Sequence, residues 1–258
     1  MIRRVLLFAI FSGLLTVTTA LLFAQSADEI IARNITARGG AEKIKAVQSQ
    51  QLLGTISFSP EDAGPFQVEI RRPNKMRQQF TVHGKVLMQV TDGKQGWVIN
   101  PVAGKGEVVA LDAAGLKNME GGATAIDGPL LNYRQKGNKV ELLGKEDVEG
   151  KSAYKLRITE AGGKVRHDFI DCASYLEVKW EGNVDAAGKA GVQTFFPDYR
   201  SVAGVMFSFL MNSDSAGAYR QTIKFDKIEV NTIHDDSLFG KPLWPAADAA
   251  KPANSAKN

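Results

Sequence analysis

The sequence predicts a mainly β protein with a few helices, an α+β fold built on one long, strongly curved antiparallel sheet. Apolar and polar residues alternate along most of the chain after Ser49, which is the period of a strand with one buried face. The alternating runs are separated by short turns, and links this short join antiparallel neighbours. Helical spacing of apolar residues is confined to the start of the domain and to one insert, residues 112–137.

The first 24 residues have the order of a secretory signal peptide. A basic start, Arg3-Arg4, is followed by an apolar run and then by the small residue Ala24. This order predicts export with cleavage near Ala24, and an uncleaved anchor helix is the alternative because the run is nearly long enough to span a bilayer. Residues 25–244 are predicted to form a single domain, and the tail 245–258, rich in Ala, Pro and Lys, to be disordered.

Charge and composition exclude several classes of function. The formal net charge of +4 is spread along the chain without a basic block, so no nucleic-acid partner is predicted. One cysteine, Cys172, excludes an internal disulfide. The histidines are scattered, and adjacent residues such as His167-Asp168 point to opposite faces of a strand, so no metal or other cofactor is predicted. No phosphate loop, dinucleotide fingerprint or nucleophile elbow occurs, and we expect a monomer that is not an enzyme.

Two short helices are predicted at the start of the domain. Apolar residues recur at helical spacing from Asp28 to Arg38, and Gly39-Gly40 ends that segment. The stretch from Ala41 to Val47 forms the second helix.

The alternating region predicts ten to thirteen strands. Residues 66–71 are one example, and a turn such as His83-Gly84 is typical of the links between runs. A sheet of that many strands curls instead of staying flat. Near Asp226 the apolar positions change phase, which predicts a β-bulge in the last strand.

The insert at residues 112–137 carries an amphipathic stripe. Glycines at 121–122 and the Asp-Gly-Pro at 127–129 interrupt it, so we expect two short helices with a hinge. Such an insert is either a lid over a curved sheet or a plain connection packed on the core. The residues that would face the sheet are Leu116, Met119, Ile126, Leu130 and Tyr133.

The two predicted strands between Thr194 and Met211 are apolar on both faces. Because both faces then need a cover, this region predicts either a large filled core or a hydrophobic cavity that includes Phe207 and Phe209. The intervening Asp198, Tyr199 and Arg200 suggest an enzyme as an alternative. Strand alternation opposes it, since Tyr199 would point away from the other two.

Four segments, in their order and spacing, resemble the outer-membrane lipoprotein-sorting proteins of the LolA/LolB-like superfamily, in particular its secreted members. The segments are ADEIIARNITARGGAEKIKAVQSQQLLGTI, VELLGKEDVEGKSAYKLRIT, FFPDYRSVAGVMFSF and KIEVNTIHDDSLFGKP. With the hairpins between them they cover residues 27 to about 242. The resemblance implies an incomplete, strongly curved antiparallel barrel, a half-barrel, with helices as a lid. The best-known members carry the acyl chains of lipoproteins across the periplasm.

The resemblance therefore implies a periplasmic, non-enzymatic carrier that binds a lipid or a lipoprotein acyl chain without a cofactor. The alternatives are an envelope sensor or protein-interaction domain, with an envelope protein as partner, and an enzyme that uses Asp198 and Arg200. The insert would be the lid, and Arg71 and Arg200 would form a polar rim. The residues expected to line the hydrophobic cavity are Phe80, Trp97, Phe169, Phe207 and Phe209.

Overall fold

A computed structural model describes residues 25–101, 106–216 and 220–243. The predicted signal peptide, residues 1–24, and the predicted disordered tail, residues 245–258, lie outside the described residues. Across the described ranges, no helix combines the length and the apolar character needed to cross a bilayer.

The described residues form thirteen strands in a single antiparallel sheet that is curved and open, which confirms the predicted fold class. The strands are β1 (Ser49–Ser57), β2 (Gly64–Arg71), β3 (Lys75–Val82), β4 (Lys85–Thr91), β5 (Gly96–Ile99), β6 (Val108–Ala110), β7 (Lys139–Val148), β8 (Lys151–Thr159), β9 (Val165–Asp171), β10 (Glu177–Gly182), β11 (Val192–Val202), β12 (Val205–Asp214) and β13 (Arg220–Val230).

The strand order is β6-β5-β4-β3-β2-β1-β13-β12-β11-β10-β9-β8-β7. From the centre, β1 to β6 run outward to one edge, and β7 to β13 return from the opposite edge to pair with β1. The insert between β6 and β7 must therefore cross from one edge of the sheet to the other. This topology explains why the insert interrupts the β pattern where it does.

Three helices pack on one face of the sheet, which we call the inner face; the other is the outer face. They are α1 (Ala27–Ala37), α2 (Ala41–Ala46) and α3 (Ala113–Ala123). A capping box begins α1, because Ser26 accepts from the backbone of Glu29 while the Glu29 carboxylate accepts from the backbone of Ser26. Gly39 ends it with a φ of 116°, and a Cβ there would lie 2.2 Å from the carbonyl oxygen of Gly204. The two predicted N-terminal helices are confirmed.

The insert contains one helix, not the two that were predicted. Instead of breaking at its glycines, α3 continues through them, because Gly122 packs so closely on Met76 that a Cβ would lie 2.5 Å from its sulfur. After Ala123 the chain continues in turns to residue 137. Pro129 lacks a backbone N–H, and Asn132 has a φ of 54°, so neither position continues a helix.

The main core fills the inner face between α2, α3 and the central strands. A second cluster joins α1 to β8 and β9, where Ile30 and Leu156 are fully buried. The predicted bulge is confirmed: Asp226 is the extra residue between Phe225, which pairs with Gly54, and Lys227, which pairs with Leu53. The main core includes Ile44, Val47, Val68, Ile70, Met119, Ile126, Val205, Phe207, Phe209 and Phe225.

Candidate functional site

A groove of about 330 Å³ opens on the inner face, at the end of the sheet where the β3–β4 hairpin turns. We call it the amide groove, since its walls are apolar except for four side-chain carboxamides. Its lining comprises Ile56, Phe58, Phe66, Phe80, Leu87, Val98, Ile99 and Ile223, with Gln78, Gln89, Asn100 and Gln221.

Strand register arranges the groove in rows of side chains. Nearest the hairpin turn, Phe66 lies opposite Phe80, and Phe80 lies opposite Leu87. One step inward, Gln78 lies opposite Gln89. Each step along a strand face covers two residues, or roughly 7 Å, so the amide pair lies that far inside the aromatic row.

The inner end of the groove lies under α3. The next row inward contains Met76 opposite Thr91, and Met76 is the residue on which Gly122 of α3 packs. In the same row, a Cβ on Gly96 would lie 2.7 Å from a methyl group of Leu111, the residue just before the insert. Helix α3 and Leu111 therefore close the groove at this end.

Aromatic packing makes the groove wall rigid. The Phe66 ring meets Phe80 edge-on at 6.2 Å and stacks on Phe225 at 6.0 Å between centroids. Phe58 lies 6.5 Å from Phe80 in a tilted arrangement. Such pairs add to the stability gained from burial and fix the rings in place.

A second cavity, of about 150 Å³, lies on the same face between α1, the insert and strands β9 to β12. We call it the charged cavity. Asn34 of α1 and Arg38, which follows this helix, line one wall, and Asp168, Glu177 and Tyr199 line the opposite one. Its apolar lining comes from Leu130, Met206 and Phe207, among others.

One guanidinium holds both carboxyl groups of the charged cavity. Arg166 bonds to Asp168 at 2.6 Å and to Glu177 at 3.0 Å. Burial, reinforced by the nearby Asp168 charge, raises the pKa of Glu177 to about 8. Burial likewise raises the pKa of Asp168 against the opposing effect of Arg166, and it raises the pKa of Tyr199. Burial therefore favours the protonated form of this carboxyl pair.

The part of the insert next to this cavity is fixed by two arginines. Arg38 donates to the backbone carbonyls of Ile126 and Asp127, both at 2.9 Å. Arg72 forms a two-pronged ion pair with the Asp127 carboxylate at 2.6 and 2.9 Å and also donates to the carbonyl of Val47. Burial opposes ionisation, but the hydrogen bonds and charge of Arg72 hold the pKa of Asp127 below its usual value. We call these bonds from Arg38 and Arg72 to residues 126 and 127 the strap.

The structure divides the five residues predicted to line one cavity. Phe80 lines the amide groove. Phe207 and Phe209 belong to the filled core beneath α2 and α3, and Phe207 also borders the charged cavity. Both side chains thus pack in the main core, and their part in ligand binding stays a prediction.

Trp97 and Phe169 lie on the outer face, away from the other three. Trp97 packs with Ile233 and Phe239, which cover β4 and β5 from outside. Phe169 is fully buried between the side chains of Lys155 and Lys179, whose amino groups lie 5.1 and 4.7 Å from its ring. Strand pairing explains both placements: Val98 and Ile170 occupy the inner face, so their neighbours in sequence face outward.

The two arginines predicted as a polar rim lie elsewhere. Arg71 binds the Asp236 carboxylate at 2.8 Å and holds the segment after β13 against the sheet. Arg200 pairs with Asp198 at 2.7 Å, as alternation allows, and its guanidinium covers the Phe209 ring. Tyr199 lies in the charged cavity, so the three residues of the suggested enzyme site do not converge.

All five predicted lid residues face the sheet or α1. Met119 and Ile126 are buried in the main core, and Leu130 is buried under α1. Leu116 packs near Gly96, and the Tyr133 hydroxyl donates to Asp28 at 2.7 Å. Their function as a lid stays a prediction.

Sequence reasoning missed the amide pair. Gln78 lies between Met76 and Phe80 on the inner face of β3, and Gln89 holds the matching position on β4. A polar residue at an apolar position of the alternation was the signal that could have identified each. Such a residue either needs a buried partner or faces an open site.

Neither a family model nor a curated protein matches the sequence. Among solved structures, a LolA superfamily protein from Nitrosomonas europaea aligns over 84% of this chain and 99% of its own, with a TM-score of 0.56 and 14% identity. The fold is LolA-like.

Two other solved structures have this LolA-like fold. A DUF1329 family protein from Desulfovibrio piger aligns over 84% of this chain and 98% of its own, with a TM-score of 0.55 and 12% identity. An outer membrane lipoprotein-sorting protein domain from Vibrio parahaemolyticus aligns over 83% and 95%, with a TM-score of 0.53 and 12% identity. These comparisons confirm the fold that the resemblance implied.

Proposed function

We propose that this protein binds the acyl chain of a lipid or lipoprotein in the amide groove and carries it without chemical change. The observation that supports this most is the groove itself, an apolar channel of about 330 Å³ on the inner face of an open sheet. That volume lies within the range of small-molecule sites, which are mostly apolar with a few polar groups. A chain would be held by apolar burial, at roughly 25 cal/mol per Å².

The structural neighbours support a carrier function. One is a LolA superfamily protein and another is a lipoprotein-sorting domain, and both cover nearly the whole described fold. An export signal with cleavage near Ala24 would place the protein in the periplasm, where such cargo must cross water.

The insert is the proposed lid. Because α3 closes the inner end of the groove, any part of the cargo that extends past this end would have to displace α3. Beyond α3, the insert is tied down by the strap at Asp127. Cargo that extends past the inner end therefore requires movement of the insert, while cargo that fits within the groove does not.

The test is binding of N-phenyl-1-naphthylamine, an uncharged apolar dye, to the wild type and to Leu87→Trp. Leu87 is half-buried beside Phe80, so a larger ring there should fill the groove and weaken dye binding at least tenfold. Val109→Trp, on the exposed edge strand β6, is the matched control and should bind like the wild type. Native mass spectrometry of protein extracted from its envelope should show a lipid adduct that Leu87→Trp lacks.

A bare mass for the wild type, together with equal dye binding by both variants, would overturn the proposal. Equal adducts on the wild type and on Leu87→Trp would show instead that lipid binds outside the groove.

A further inference from the structure

We infer that the amide groove selects a lipid whose polar group next to the acyl chain is uncharged, such as an ester or an amide, over a free fatty acid. This rests on the proposed function and specifies its ligand class. The polar side chains that line the groove are all carboxamides, and none of its lining residues carries a charge.

The facing amides present complementary groups to a ligand. Gln78 donates from its Nε2 to the Oε1 of Gln89. This leaves the Oε1 of Gln78 as an acceptor and the Nε2 of Gln89 as a donor. An ester or amide carbonyl can accept from Gln89, while a neighbouring hydroxyl or N–H donates to Gln78. Gln221 lies on the opposite wall, where its side-chain carboxamide has no hydrogen bond to the described residues and can contact the same ligand.

Among the described residues that line the groove, none offers a cation to a carboxylate. A buried ion pair on the same strands, Glu69 with Arg77, lies on the outer face of the sheet. Lys85 is the closest cation along β4, but it is exposed at the hairpin end, where it donates to the carbonyl of Pro101. A charged group moved into an apolar site without a counterion loses its hydration without replacement.

The positions of the two amides also set the orientation of the lipid in the groove. If a chain entered tail first, hydrocarbon would press on the free amide atoms of Gln78 and Gln89 and leave them unsatisfied. The polar group therefore lies at the amide pair, and the chain runs outward past Phe66 and Phe80. A fatty acid cannot adopt this orientation without burying its charge.

The test compares 1-monolauroyl glycerol with laurate, which have the same acyl chain, in dye displacement from the purified protein at pH 7.4. The wild type should bind the monoester at least tenfold more tightly. Gln78→Leu/Gln89→Leu should lose that preference, whereas Gln193→Leu, a half-buried strand glutamine outside the groove, should keep it. Gln89→Lys supplies a cation and should shift the preference toward laurate.

Equal affinity of the wild type for both lipids, or a preference for laurate, would overturn the inference and leave the lipid-binding proposal standing. A preference for laurate that Lys85→Gln abolishes would show tail-first binding with the carboxylate at the groove mouth. If the wild type and all the variants fail to bind either lipid, the proposed function itself is overturned.

Discussion

The two openings on the inner face differ in one respect that matters most, the kind of polar group they contain. The amide groove has carboxamides, whose charge does not change with pH, on strands β3 and β4. The charged cavity has Asp168 and Glu177 on one guanidinium, beneath α1. The comparison indicates a division of tasks: the groove is suited to ligand binding at any moderate pH, whereas the charged cavity links the stability of the fold to pH.

Removal of the guanidinium from the charged cavity should have the largest effect. In Arg166→Met, two carboxyl groups lose the only ion-pair partner that they have among the described residues, and Asp168 is just 1% exposed. Breaking a buried pair in this way costs about 3–5 kcal/mol, measurable as a lower midpoint in urea unfolding. Arg200→Met removes an exposed pair and should lower the urea midpoint much less. An equal loss of stability in Arg166→Met and Arg200→Met would contradict the claim that the charged cavity depends on its guanidinium.

The pH dependence of stability should follow from Glu177. Its folded-state pKa of about 8 lies above its ordinary value of 4.5, so the folded state binds more protons than the unfolded state between these pH values. The free energy of unfolding should therefore fall as pH rises from about 4.5 to 8, by at most about 1.4 kcal/mol per pH unit. Urea unfolding of Glu177→Gln over this range should give a flatter profile. An unchanged slope would show that other groups bind the proton.

Loosening the strap should have a smaller and more local effect. Asp127→Asn loses the charge on which Arg72 depends and should cost about 1–3 kcal/mol. Amide hydrogen exchange in residues 124–137 should rise more than in β8 or β9. Asp28→Asn removes an exposed ion pair between α1 and the same insert and is the control, with a much smaller expected loss of stability. An equal rise in hydrogen exchange in the insert and across the sheet would indicate global destabilisation instead.

The groove amides should matter least for stability. Gln78→Leu/Gln89→Leu replaces both members of a hydrogen-bonded pair with apolar groups of similar shape, which is close to neutral. Urea unfolding should change by less than about 1 kcal/mol, with the pH profile of the wild type retained. A large loss would mean that the pair is a structural element and not a ligand site.

The alternation of apolar residues and the short turns were enough to predict the sheet, the antiparallel pairing of its strands and the bulge at Asp226, because each depends on local sequence. The placement of Trp97 and Phe169 could not be obtained this way. Alternation states that two faces exist, but which face is inner depends on strand register and on where the helices pack. Phe207 and Phe209 were placed on the inner face, yet whether that face is filled depends on the insert.

The charged cavity was also beyond sequence reasoning. Arg166, Asp168 and Glu177 come from two strands, and their charges look like those of a solvated face. Only their approach beneath α1 shows that they are buried together. The extension of α3 through its glycines has a similar cause, since the contact of Gly122 with Met76 is long-range.

The most direct test of the central claim is a crystal structure with a monolauroyl glycerol that carries bromine midway along its acyl chain. The account predicts an anomalous peak along the row formed by Phe66, Phe80 and Leu87, with the ester within hydrogen-bond distance of Gln89. A peak in the charged cavity or on the outer face, or an ester directed away from the amide pair, would contradict it.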